Sequence, residues 1–146
     1  MNKPAAKKLD AKVVQAETEK ASSRILDLLA LDGKVTRARA TLLECTNGRP
    51  AGKVNQAHHP WSVYDVPVEE MEKAMDRMRK AFPENGWTIV KDGPDGSAAK
   101  TPTIVANSND GHLSAEIRLL DERAKGETSV LAVTVVSTCF QSKPED

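Results

Sequence analysis

An α+β fold is predicted: an antiparallel β-sheet of five to six strands with two helices packed on one of its faces. Three observations predict it. Two segments repeat apolar residues at helical spacing, and four short segments late in the chain are strand-like. Turn-forming residues separate those late segments at hairpin spacing. The 146 residues suit one domain, with residues 1–9 as a flexible lead-in or tether, 10–140 as the domain and 141–146 as a flexible tail.

The first helix is predicted over residues 10–31. Val14, Thr18, Ala21, Ile25 and Leu28 recur at alternating steps of four and three, and Leu29 widens the stripe. Gly33 in "LDGK" supplies a left-handed stop. The first half of the helix is weakly apolar, so residues 10–20 are expected to fray or project into solvent. "VTRARATLLEC" follows as one strand, with Ala38, Ala40 and Leu42 on one face and Leu43 and Cys45 on the other. Residues 46–58 are rich in Gly, Pro and Asn and read as a loop, and "PWSVYDV" reads as a short strand after it.

The second helix has the clearest pattern. Pro67 suits a first turn, Glu69 and Glu70 complement the positive end of the helix dipole, and Val68, Met71, Met75, Met78 and Phe82 form one stripe. Four strands then follow in "WTIVKD", "TIVANS", "HLSAEIRLL" and "TSVLAVTVVSTCF". In the third of these Leu113, Ala115, Ile117 and Leu119 share a face, while Ser114, Glu116 and Arg118 share the other. The last is apolar on both sides and is expected to be central.

The two cysteines close apolar runs that are far apart in sequence. If the last strand pairs with the first, Cys45 and Cys139 come opposite each other, and their side chains share a face. A disulfide closing so long a loop would stabilise the chain by roughly 4 to 5 kcal/mol and would point to an oxidising compartment. Two buried free thiols are the alternative that the residues leave open.

The segments "LLECTNGRP", "HHPWSVYDVPVEEMEKAMDRMRKAFPENGWTIV" and "VLAVTVVSTCF" resemble small lipoproteins or secreted proteins of actinobacteria, over about residues 20–140. The resemblance implies a disulfide-bearing domain behind a lipidated or cleaved N-terminus, and it implies no chemistry. The start of the chain departs from that pattern. "MNKPAAKKLD" is basic, but no apolar stretch and no lipobox cysteine follow it. Two expectations result: a cytoplasmic protein, or one whose export segment, with any lipid anchor, precedes Met1.

Composition excludes some functions. With a formal net charge of zero and aromatics at 3%, nucleic-acid binding lacks both the basic face and the stacking platforms it needs. No run reaches the roughly 20 apolar residues of a membrane-spanning helix. His58 and His59, with His112, are the candidate metal ligands. Neighbours on an extended chain point to opposite sides, however, so no metal is expected. Asp92, Asp95, Asn107, Asn109 and Asp110 lack the spacing of a calcium loop and suit ordinary turns. No nucleophile, dinucleotide or phosphate-loop motif is present, so no catalytic residue and no cofactor are expected. The Met71, Met75 and Met78 stripe is expected to be core rather than a binding groove.

The expected function is that of a non-catalytic extracytoplasmic module, secreted or lipid-anchored, that binds another envelope component. It would be a monomer or weak dimer. Its expected contact surface is the loop 46–60, with His58, His59, Trp61 and Tyr64. Two alternatives stand beside it. One is a small-ligand-binding domain or enzyme with a cleft between sheet and helices. The other is a cytoplasmic interaction protein with reduced thiols.

Overall fold

Asp10 starts the first helix by accepting the Lys12 N–H on its carboxylate at 2.9 Å, a side-chain cap at the N-terminus of α1 (Ala11–Leu29). The computed structural model, which describes residues 8–36, 38–45 and 54–143, is an α+β structure with a second helix α2 (Val68–Glu84). Its mostly antiparallel sheet has nine strands, not five to six. They are β1 (Lys8–Leu9), β2 (Lys34–Val35), β3 (Thr41–Glu44), β4 (Val54–Tyr64) and β5 (Trp87–Pro94). β6 (Pro102–Ser108), β7 (Leu113–Leu120), β8 (Val130–Ser137) and β9 (Phe140–Ser142) complete the set.

The extra strands arise at the chain ends and from breaks in two predicted strands. Lys8 and Leu9, expected in the lead-in, pair in parallel with Gln141 and Ser142, which were expected in the tail. The predicted strand 35–45 is broken into β2 and β3. The last predicted strand is broken at Thr138–Cys139, where the Thr138 N–H turns to the His112 carbonyl.

β4 organises the sheet. The order is β1-β9-β4-β8-β7-β6-β5, and β2 and β3 also pair with β4. β8 is central, as expected, but its neighbours are β4 and β7; β4 stands between it and the strand that was expected beside it. Residues 54–58 of the segment taken as a loop are in fact the start of β4. Pro60 explains both the misreading and the break between β2 and β3. Proline has no N–H to give a ladder, so within a sheet it belongs where no neighbour asks for one. It stands on the same alternation as Ser62, whose N–H and C=O turn toward Thr36. On that side β3 pairs with residues 55–58 and β2 with 63–64, leaving Pro60 opposite a gap. Across the gap, Ala38, Arg39 and Ala40 belong to neither strand.

The main core joins both helices to the sheet. Ile25 and Leu29 of α1 and Met71, Met75, Met78 and Phe82 of α2 pack with Val63, Ile104, Ile117, Leu131 and Val133. Met71, Met75 and Met78 are each at most 2% exposed, so the stripe is core. On α1 the buried set is Val14, Thr18, Ser22, Ile25 and Leu29; Ser22 was not expected there, and Ala21 and Leu28 pack against the core partly buried. The first half of α1 does not fray. Val14 packs with Ala57 and Phe140, and the Thr18 hydroxyl donates to the Val14 carbonyl at 2.7 Å.

The end of α1 differs from expectation as well. Ala30, not Gly33, takes the left-handed conformation, with φ 52°. Gly33 answers a different need. A Cβ there would stand 2.7 Å from the Tyr64 carbonyl oxygen and would overlap the Val66 side chain. Arg77 of α2 donates from Nε and Nη2 to the Leu29 carbonyl, at 3.2 and 2.6 Å, and so places a cation at the negative end of α1.

Cys45 and Cys139 are bonded, with Cα atoms 6.4 Å apart. Cys45 follows β3 and Cys139 precedes β9, the two strands that flank the start of β4. The pair was expected on two adjacent strands; instead the bond clamps the neighbours on either side of a third.

Candidate functional site

The described residues opposite Pro60, Thr36 and Ala38–Ala40 (the arch), are tied to both elements around them. Glu19 of α1 accepts the Ala40 N–H at 2.9 Å, and Gln15 donates to the Ala40 carbonyl at 2.9 Å. From β4, His59 Nε2 meets the Ala38 carbonyl at 2.6 Å. Between α1, this arch and β4 lies a cleft of about 330 Å³, lined by Glu19, Ser22, Ser23, Leu26, Val35, Thr36, Ala38, Arg39, His59 and Trp61. That volume is at the small end of the range for small-molecule sites.

His59 is buried in the wall of the cleft, with both ring nitrogens engaged. A carbonyl only accepts, so Nε2 carries a proton toward Ala38. In the neutral ring Nδ1 then accepts from the Ser22 hydroxyl, 2.7 Å away. The same pairing orients a catalytic serine and histidine in hydrolases, but acyl transfer also requires donors for the developing oxyanion. Ser22 sits in the middle of α1, where the backbone N–H groups belong to the helix ladder. The pair therefore fixes the arch rather than activating a nucleophile.

Leu26, Val35 and Trp61 give the cleft an apolar floor. Trp61 is 6% exposed, and its buried Nε1–H has no partner among the described residues. Glu19 and Arg39 bring one charge of each sign, and no ion pair joins them.

The four residues expected to form one contact surface lie on β4, not on a loop, and the strand divides them. His59 and Trp61 share the alternation of Ala57 and Val63, which are fully buried. His58 and Tyr64 share the other alternation and stand on the opposite face. Residues 46–53 of the expected loop lie outside the described residues. Among the described residues no three His, Cys, Asp or Glu side chains converge in a way that could hold a metal ion. Nor does any described helix have the length and apolarity to cross a membrane.

The aspartates weighed as calcium ligands serve turns and ion pairs. Asp95 accepts from the Ser97 hydroxyl and N–H, from Arg118 at 2.9 Å and from the Thr101 N–H, and these hold its carboxyl well below the usual range. Asp110 accepts from the Ser108 hydroxyl and the His112 N–H, and its carboxyl is lowered for that reason. Asp92 pairs with Arg79 at 2.9 Å, and that bond raises the guanidinium's affinity for its proton.

The residues that sequence reasoning missed are Glu19, Ser22, Ser23 and Arg39. Ser22 carried a faint signal, because a serine stands at a position that the helical period assigns to the buried face. Compared with protein-family models, with curated proteins and with solved structures, the chain finds no match.

Proposed function

We propose that the chain is a non-catalytic extracytoplasmic binding module, secreted or lipid-anchored, that takes part of another envelope component into the cleft between α1, the arch of residues 36 and 38–40, and β4. The cleft is the observation that carries this reading. It is concave, it has an apolar floor, and polar groups converge on it from three separate elements. Ser22 and His59 brace its wall, so the shape is held before a ligand arrives.

The Cys45–Cys139 bond supports an oxidising location, and the resemblance to actinobacterial lipoproteins and secreted proteins agrees with it. In this reading both helices cover one face of the sheet, and the cleft opens where the edge of that layer lifts away. A small-ligand site of this kind displaces the broad His58, His59, Trp61 and Tyr64 surface as the place of contact, and the protein acts as a monomer or weak dimer.

Co-sedimentation with an insoluble actinobacterial envelope preparation tests the reading. Wild-type protein should pellet, and Ser23→Trp, which puts an indole into the cleft from an exposed helix position, should stay in the supernatant. Equal pelleting of the two, or none by the wild type, would sink the proposal.

A further inference from the structure

The groups left free in the cleft favour one class of ligand, and we infer that it binds a neutral saccharide. This rests on the cleft being the binding site proposed above. The inventory of acceptors is short. Ala38 offers a carbonyl already taken by His59, the Ser22 hydroxyl is held by the same ring, and the Thr36 hydroxyl is engaged with Ser62. The Ser23 hydroxyl donates its proton to the Glu19 carbonyl at 3.2 Å and keeps its oxygen to accept. Glu19 has one oxygen on the Ala40 N–H, which leaves the other.

An ammonium group carries three donors, and the free Glu19 oxygen and the Ser23 hydroxyl would take only two of them. A carboxylate would gain Arg39 but would meet Glu19 in the same small space, and the two like charges repel. A sugar avoids both penalties. Each hydroxyl both gives and accepts, so one can donate to the free Glu19 oxygen and another can accept from the Arg39 guanidinium, whose fork makes no ion pair among the described residues. The C–H face of the ring then lies on Leu26 and Val35, beside the small exposed part of Trp61. At about 330 Å³ the cleft suits one or two sugar units rather than a long chain.

The test is an NMR titration of ¹⁵N-labelled protein with four probes in turn: methyl β-glucoside, N-acetylglucosamine, leucine as a zwitterion and isobutyrate as a carboxylate. At least one sugar should shift the Ser23 and Arg39 amides and the Trp61 indole N–H, and the shifts should saturate with a dissociation constant of millimolar order. Glu19→Gln, which keeps an oxygen for Ala40, and Arg39→Ala should each weaken that binding about tenfold or more while leaving the remaining spectrum in place. Saturation by leucine or isobutyrate, with neither sugar active, overturns the saccharide assignment and leaves a ligand-binding cleft. Silence from all four also overturns it, whereas the envelope reading stands or falls separately on co-sedimentation. Sugar binding that Glu19→Gln and Arg39→Ala leave unchanged would place the sugar elsewhere and overturn the inference.

Discussion

The Ser22 hydroxyl and His59 Nδ1 stand 2.7 Å apart, joining the middle of α1 to the middle of β4 inside the protein. Among the described residues neither has another polar side-chain partner. Ser22→Ala leaves Nδ1 buried and unpaired, which costs about 1–3 kcal/mol. Urea unfolding of the variant should show that loss. A midpoint equal to wild type would mean that water replaces the hydroxyl and that the arch does not depend on the pair.

Cys45 and Cys139 close a loop with a sequence separation of 94, so the bond removes much freedom from the unfolded chain. Replacing both with alanine should lower stability by up to about 4–5 kcal/mol on the loop-closure argument. Intact mass after alkylation checks the bond directly. Two additions after reduction, and none in unfolded unreduced protein, are expected. Two additions without reduction would remove the main support for an oxidising location.

Gly33 faces the Tyr64 carbonyl oxygen with no room for a side chain. Gly33→Ala must push β2 away from the end of β4, and overpacking of this kind typically costs about 1–3 kcal/mol. A crystal structure or amide-shift map of the variant should place the disturbance at residues 63–66. A neutral effect on stability would show that the Val66 side chain yields freely.

Phe82 fills the end of the α2 stripe, fully buried, with its ring centroid 5.5 Å from that of Trp87. Phe82→Ala should cost about 3–5 kcal/mol, the usual penalty for emptying an aromatic core site. The tryptophan emission should move to the red as Trp87 loses its cover.

Asp95 governs an acid sensitivity. Its folded carboxyl is lowered, chiefly by Ser97 with help from Arg118 and the Thr101 N–H, so the ionised form binds its proton less readily in the folded chain than in the unfolded one. The stability it contributes is therefore complete above the ordinary carboxylate range, near pH 4, and declines as the pH falls below it. Asp95→Asn should flatten that decline. If urea midpoints at pH 5 and pH 3 differ by the same amount in wild type and variant, the acid sensitivity lies elsewhere.

Much of the fold is legible in the chain because its causes are local. The α2 stripe from Val68 to Phe82 follows the helical period, and its residues are buried as that period requires. Leu113 to Leu119 alternate, and Ala115, Ile117 and Leu119 face the core. The two cysteines, each ending an apolar run, point to their bond. The cleft is not legible in this way. It depends on which strands flank β4, and Pro60 makes β4 read as a loop followed by a short strand. Only pairing with β8 on one side, with a gap left opposite Pro60, lets a proline stand within so long a strand. The same pairing sends His59 inward to Ser22 and His58 to the other face, although the two are adjacent in sequence. Side-chain periodicity acts within a few residues and determines the faces of each element. The partners of a strand are chosen across the whole chain by backbone hydrogen bonding, so tertiary structure alone decided where Glu19, Ser22, Arg39, His59 and Trp61 would meet.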